Sequence, residues 1–249
     1  MLDAVLRWVE VVFDAVYLLV IWTLVIVMAR RRPRIAAADR TVADCFTAAF
    51  ALLALGDTFH LSLRILSHLK GSLSTTHTVL GYPVTIGLGA LATGITLTFF
   101  YMLFLKAWRW RFAGGYGWFG YILFGAAAVR LLLFLHPANN WNSPFAPLAW
   151  SIYRNIPLFL QGLGVAFLIW RDAVRTKDRA FLAIAGLIVV SYACYMTVIF
   201  TYQAMPVVGM LMLPKTVAYV AMAVVAYRGF YGRDGIRAGT VGASVKTGT

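Results

Sequence analysis

Asp57, His60, Arg64 and His68 follow one another at intervals of three, four and four residues inside an otherwise apolar stretch. In a helix that spacing puts all four on one stripe. Arg7, Glu10, Asp14 and Tyr17 repeat the pattern at intervals of three, four and three. Carboxylates, imidazoles and cations arranged in this way can pair with one another, relay protons or hold a charged solute. Other apolar blocks carry Arg130, then Ser151, Arg154, Asn155 and Gln161, then Ser191, Tyr195 and Tyr202, then Lys215 with Tyr219 one turn on. One pair bears on catalysis, because a carboxylate at Asp57 could orient the imidazole of His60 as a general base. No nucleophile stands beside it, and a metal centre would need His68 or His136 to bend inward. Cys45 and Cys194 fall at different depths and outside any metal motif, which predicts two free thiols.

The elements that position these groups follow from composition. Of 249 residues, 61% are hydrophobic and only 12% charged, against roughly 25% charged in a soluble domain. The apolar residues come in seven blocks, at about residues 4–29, 41–68, 79–105, 116–136, 146–170, 180–202 and 206–228. Each suits the roughly 20 residues needed to cross a bilayer. The expectation is an all-α polytopic membrane protein: a seven-helix bundle over residues 1–228 and a mobile cytoplasmic tail over 229–249. The first block lacks a basic leader and is expected to stay as a helix rather than be cleaved.

Sixteen of the 22 basic residues fall in one alternate set of connections and the tail, while the opposite loops hold only Lys70. That bias places the N-terminus outside and the C-terminus in the cytoplasm. It also accounts for the net charge of +13, through attraction to anionic lipid at the inner surface, with no need for nucleic acid. Thr41 to Asp44 read as a capping box at the start of the second helix. Trp108, Trp110, Tyr116 and Trp118 read as interfacial anchors. Gly87, Gly89, Ala90 and Gly94 suit close helix packing.

Direction of travel then sets depth. Glu10, His60, Arg64, Arg130, Arg154 and Asn155 are expected in the outer half, and Asp14, Asp57 and Lys215 near the midplane. Three acids stand against four cations there, with His60 able to adjust the balance. The expectation is a polar chamber that opens outward, is closed below by apolar packing, and binds an ion, protons or a small polar molecule. Lys215, after Pro214 at a kink in the middle of the last helix, is expected to pair with Asp14 or Asp57.

The strings GDTFHLSLRIL, GLGALATGITLTFFYMLF, NNW and WSIYRNIPLFLQGLG together resemble a group of bacterial seven-helix membrane proteins without an assigned activity. The resemblance implies the helix count and a bacterial plasma membrane, and it supplies no mechanism. A carrier, a receptor and an intramembrane enzyme acting on a lipid or periplasmic substrate all remain open. Lys215 also resembles the Schiff-base position of retinal proteins, although the third helix lacks a carboxylate counterion and the sixth lacks a Trp. No cofactor is indicated.

Overall fold

The computed structural model describes residues 2–70, 76–79, 81–112, 114–143, 147–202 and 204–232. The expected tail lies outside the described residues from 233 onward. Seven helices are long and apolar enough to cross a membrane. They are α1 (Leu2–Arg31), α2 (Ala37–Leu69), α3 (Ile86–Phe112), α4 (Gly117–Phe134), α5 (Leu148–Thr176), α6 (Arg179–Thr201) and α7 (Met212–Ala226), the last continuous with a tighter turn before it and a wider one after it. With 87% of the described residues helical, the short hairpin of β1 (His77–Val79) and β2 (Tyr82–Val84) leaves the class unchanged.

Large apolar side chains point away from the bundle on several helices, among them Leu19, Leu132, Phe167, Val190 and Phe200. An apolar surface of that extent would associate in water and is at home in acyl chains. This is a multi-pass membrane protein. Contacts of Arg31 with Tyr231, Arg32 with Asp44, Arg109 with Tyr116 and Arg111 with Asp39 and Asp178 bring the ends of α1, α3 and α7 together with the starts of α2, α4 and α6, so one face carries Arg31, Lys106, Arg175 and Arg228 and is called the basic face below.

Several boundaries differ from those expected. Residues 79–84 belong to the hairpin, and α3 starts at Ile86. Pro83 cannot continue a helical ladder, and β1 is tied down where Ser67 Oγ meets His77 Nε2 at 2.8 Å. Burial holds the His77 imidazole below its ordinary pKa. Helix α5 runs on to Thr176, so most of the expected connection after residue 170 is helical. Helix α2 starts at Ala37 with no side-chain cap. The Thr41–Asp44 box is therefore not formed, and Asp44 instead accepts two hydrogen bonds from Arg32, at 2.6 and 2.7 Å. Trp108 is buried and donates to Asp172 at 2.9 Å, whereas Trp110 and Trp118 are exposed as anchors would be. Both cysteines are free.

The core lies toward the basic face. Phe46, Phe50, Phe100 and Phe104 interlock there, with Phe100 and Phe104 stacked at 4.4 Å. Helices α2 and α3 approach closely because Gly56 and Gly89 leave room. A Cβ on Gly89 would stand 2.8 Å from the His60 Cα, and one on Gly56 would stand 3.0 Å from the Thr93 Cα. Side chains larger than hydrogen would push the helices apart.

Candidate functional site

Above that aromatic core, toward the face opposite the basic one, lies a cavity of about 260 Å³ lined by residues from all seven helices. Its volume sits just under the range of small-molecule sites, roughly 300–1,000 Å³. The nine residues singled out from the sequence all line it: Glu10 and Asp14 from α1, Asp57, His60 and Arg64 from α2, Arg130 from α4, Arg154 and Asn155 from α5, and Lys215 from α7. Thr93 and Gly94 of α3 and Tyr195 of α6 complete the ring.

At the rim, Arg64 Nη2 meets Glu10 Oε2 at 2.7 Å, and His68 Nε2 approaches the same oxygen at 3.2 Å. This pair is satisfied within itself. Deeper down, Tyr17 donates its hydroxyl to Asp57 Oδ2 at 2.5 Å. Asp14 is buried, and its Oδ2 has no hydrogen-bond partner. His60 Nδ1 is also without a partner. With Asp57 engaged by Tyr17, the carboxylate–imidazole pair that would prepare His60 for base chemistry is not assembled.

Among the described residues the cations on the other side have no carboxylate partner within ion-pair distance. Arg130, only 3% exposed, directs Nη1 to the Gly94 carbonyl at 3.0 Å and the Thr98 hydroxyl at 2.7 Å, and Nε to the Arg154 carbonyl at 3.2 Å. Arg154 lies 4.5 Å from the centre of the Trp141 ring and donates to Asn139 Oδ1 at 3.3 Å. Trp141 is itself clamped, its indole N–H on the Phe134 carbonyl and its own carbonyl on Thr85.

Lys215 departs from expectation. Its Nζ makes no ion pair with Asp14 or Asp57 and instead sits 4.6 Å from the Tyr195 ring centre and 5.7 Å from that of Tyr219. Nor does it follow a mid-helix kink. Residues Pro206–Leu211 form a tight 3-10 turn, and α7 begins at Met212. Pro214 thus falls in the first turn, where proline is tolerated because that turn's N–H groups need no helical acceptor. A lysine there no longer matches the mid-helix site of a retinal Schiff base.

Neutral groups that support the site escaped the sequence reading. Thr98, Asn139 and Trp141 hold the guanidinium groups, yet a threonine in a helix or an Asn-Trp in a loop carries no desolvation penalty to mark it. Below the cations, Tyr219 and Tyr101 share a hydrogen bond at 3.0 Å, and Tyr192 donates to the Leu158 carbonyl at 3.0 Å. These hydroxyls satisfy one another above the phenylalanine layer. Among the described residues no group of three or more His, Cys, Asp or Glu side chains could hold a metal ion. Comparison with protein-family models, with curated proteins and with solved structures finds no match.

Proposed function

We propose that this chain binds a small polar solute in the cavity between its seven helices, as the recognition site of a receptor or carrier in a bacterial plasma membrane. The observation that carries this reading is the convergence of ionisable side chains from five helices on one cavity, with Asp14 Oδ2 and His60 Nδ1 left without a hydrogen-bond partner. Ion pairs built only to hold a bundle would be closed pairs, because an unpaired charge or carboxylate away from water costs several kcal/mol. Among the described residues at the cavity, only the Glu10–Arg64 contact at the rim fits that description.

The distribution of basic residues supports a cytoplasmic basic face, in contact with anionic lipid, and hence a cavity that faces outward. Interlocked phenylalanines separate the cavity from the basic face. A receptor would read the occupied cavity through movement of α7 or α6, and a carrier would have to part the phenylalanine layer.

Native mass spectrometry of detergent-purified protein tests the reading. A small molecule should be released from the wild type and be depleted in Arg154→Gln, with both proteins folded by circular dichroism. Equal retention in both, or none in either together with no thermal stabilisation by any small solute, would count against a cavity site.

A further inference from the structure

If the cavity is a solute site, as proposed above, its charges decide what it holds. The Glu10–Arg64 pair is spent on itself at 2.7 Å. That leaves Asp14 and Asp57 against Arg130, Arg154 and Lys215, an excess of one positive charge in a cavity walled by apolar helices. Among the described residues none of these five groups forms an ion pair. Asp57 takes the Tyr17 hydroxyl. Arg130 and Arg154 are met by carbonyl, hydroxyl and amide oxygens and by aromatic faces, and Lys215 by two tyrosine rings. Dipoles and ring faces soften the cost of a buried cation without cancelling its charge.

We propose that the occupant is a small organic monoanion, with a carboxylate head facing Arg130, Arg154 and Lys215 and a hydrogen-bond donor facing the unpartnered Oδ2 of Asp14. One negative charge balances the excess. A phosphate monoester carries about −1.5 to −2 near neutral pH and would overshoot. The donor follows from Asp14, which is nine-tenths buried, lines the cavity and keeps one oxygen unmatched. A volume of about 260 Å³ limits the occupant to a compact molecule and excludes a lipid chain. Hydroxy acids combine these features. Amino acids offer the same head and a stronger donor, but being neutral overall they leave the excess charge in place.

The test uses full-length protein in detergent at fixed ionic strength, with calorimetric titration of three probes of similar size: lactate, propionate and ethylammonium. Lactate should bind, propionate should bind roughly tenfold more weakly for want of the donor, and ethylammonium should not bind. Arg154→Gln and Lys215→Met should each weaken lactate by roughly tenfold or more, while Lys70→Met leaves it unchanged. Asp14→Ala should abolish the preference for lactate over propionate, whatever the lost carboxylate does to the affinity of both. Arg154 lies toward the rim, so Arg154→Gln remains informative even where Lys215→Met fails to fold. Ethylammonium binding with lactate inert, or lactate binding indifferent to both cation variants, would overturn the anion assignment and leave a solute site standing. Where no probe binds, the molecule released in the native mass spectrum decides: an organic anion upholds the assignment, and a neutral or cationic one refutes it. Silence in both measurements removes the solute site as well.

Discussion

Asp14 carries a cost that apolar packing at the same position would not. Its Oδ2 is buried without a hydrogen bond, and an unsatisfied buried polar atom costs about 1–3 kcal/mol, more when charged. A group kept at such a cost is expected to trade stability for binding. Asp14→Asn should therefore raise the unfolding temperature of the ligand-free protein by about 2–4 °C, the shift that ~1 kcal/mol produces in a chain of this size, while it weakens solute retention. A lower unfolding temperature in differential scanning fluorimetry would mean that Asp14 serves the fold. The nine ionisable and amide residues named from the sequence that line the cavity were legible because a charge or amide within an apolar block is costly and so conspicuous, and three-and-four spacing gives its direction. Their pairing was not. Depth along each helix suggested Lys215 with Asp14 or Asp57, but rotation about the helix axes sends Lys215 to Tyr195 and Tyr219, and Tyr17 has claimed Asp57.

Helices α2 and α3 form the wall that carries Asp57, His60 and Arg64, and their separation is set by glycine. A Cβ at Gly89 would come within 2.8 Å of the His60 Cα and 3.0 Å of its Nδ1. Backbone atoms cannot rotate away, so Gly89→Ala should destabilise the protein by about 1–3 kcal/mol, as overpacking does, and should disturb His60 directly. Gly186→Ala in α6 is the matched control, since nothing lies within 4 Å of a Cβ there, and alanine should be neutral or up to ~1 kcal/mol stabilising through helix propensity. Equal unfolding midpoints for the two variants in a denaturant titration would show that α2 and α3 can separate without cost. The glycines of α3 were visible in the sequence as a packing surface, whereas the element ends were not. Hydropathy cannot tell the β1–β2 hairpin from a helix start, because Val79, Tyr82 and Val84 are as apolar as the helix that follows. The capping signal at Thr41 was misread because α2 already starts at Ala37, which leaves Thr41 inside the helix and Asp44 free to take a bidentate contact from Arg32.

At the scale of the whole molecule, one asymmetry orders everything else. Arg111 joins Asp39 and Asp178 at the ends of α2 and α6, at 3.1 and 2.8 Å, and Arg31 reaches the Tyr231 carbonyl at the close of α7. Exposed pairs of this kind contribute only about 0–1 kcal/mol each, so they trim the basic face without explaining why it is basic. Insertion would explain it in the proposed orientation: connections rich in Lys and Arg stay on the cytoplasmic side, and sixteen of 22 basic residues fall in one alternate set of connections and the tail against Lys70 in the other. Helix count was thus legible in the sequence, whereas the side on which the basic face lies rests on the charge bias alone, and the proposed direction of the cavity goes with it. Asn142→Cys, in the exposed loop between α4 and α5, should then react with an impermeant maleimide on intact cells in a background where Cys45 and Cys194 are replaced by Ala. Thr176→Cys, at the exposed end of α5 on the basic face, should react only after permeabilisation. The reverse pattern would turn the cavity toward the cytoplasm. It would leave the seven-helix architecture and the cluster of charges untouched, but the solute would then come from inside the cell, and a role in sensing or taking up an external anion would fall.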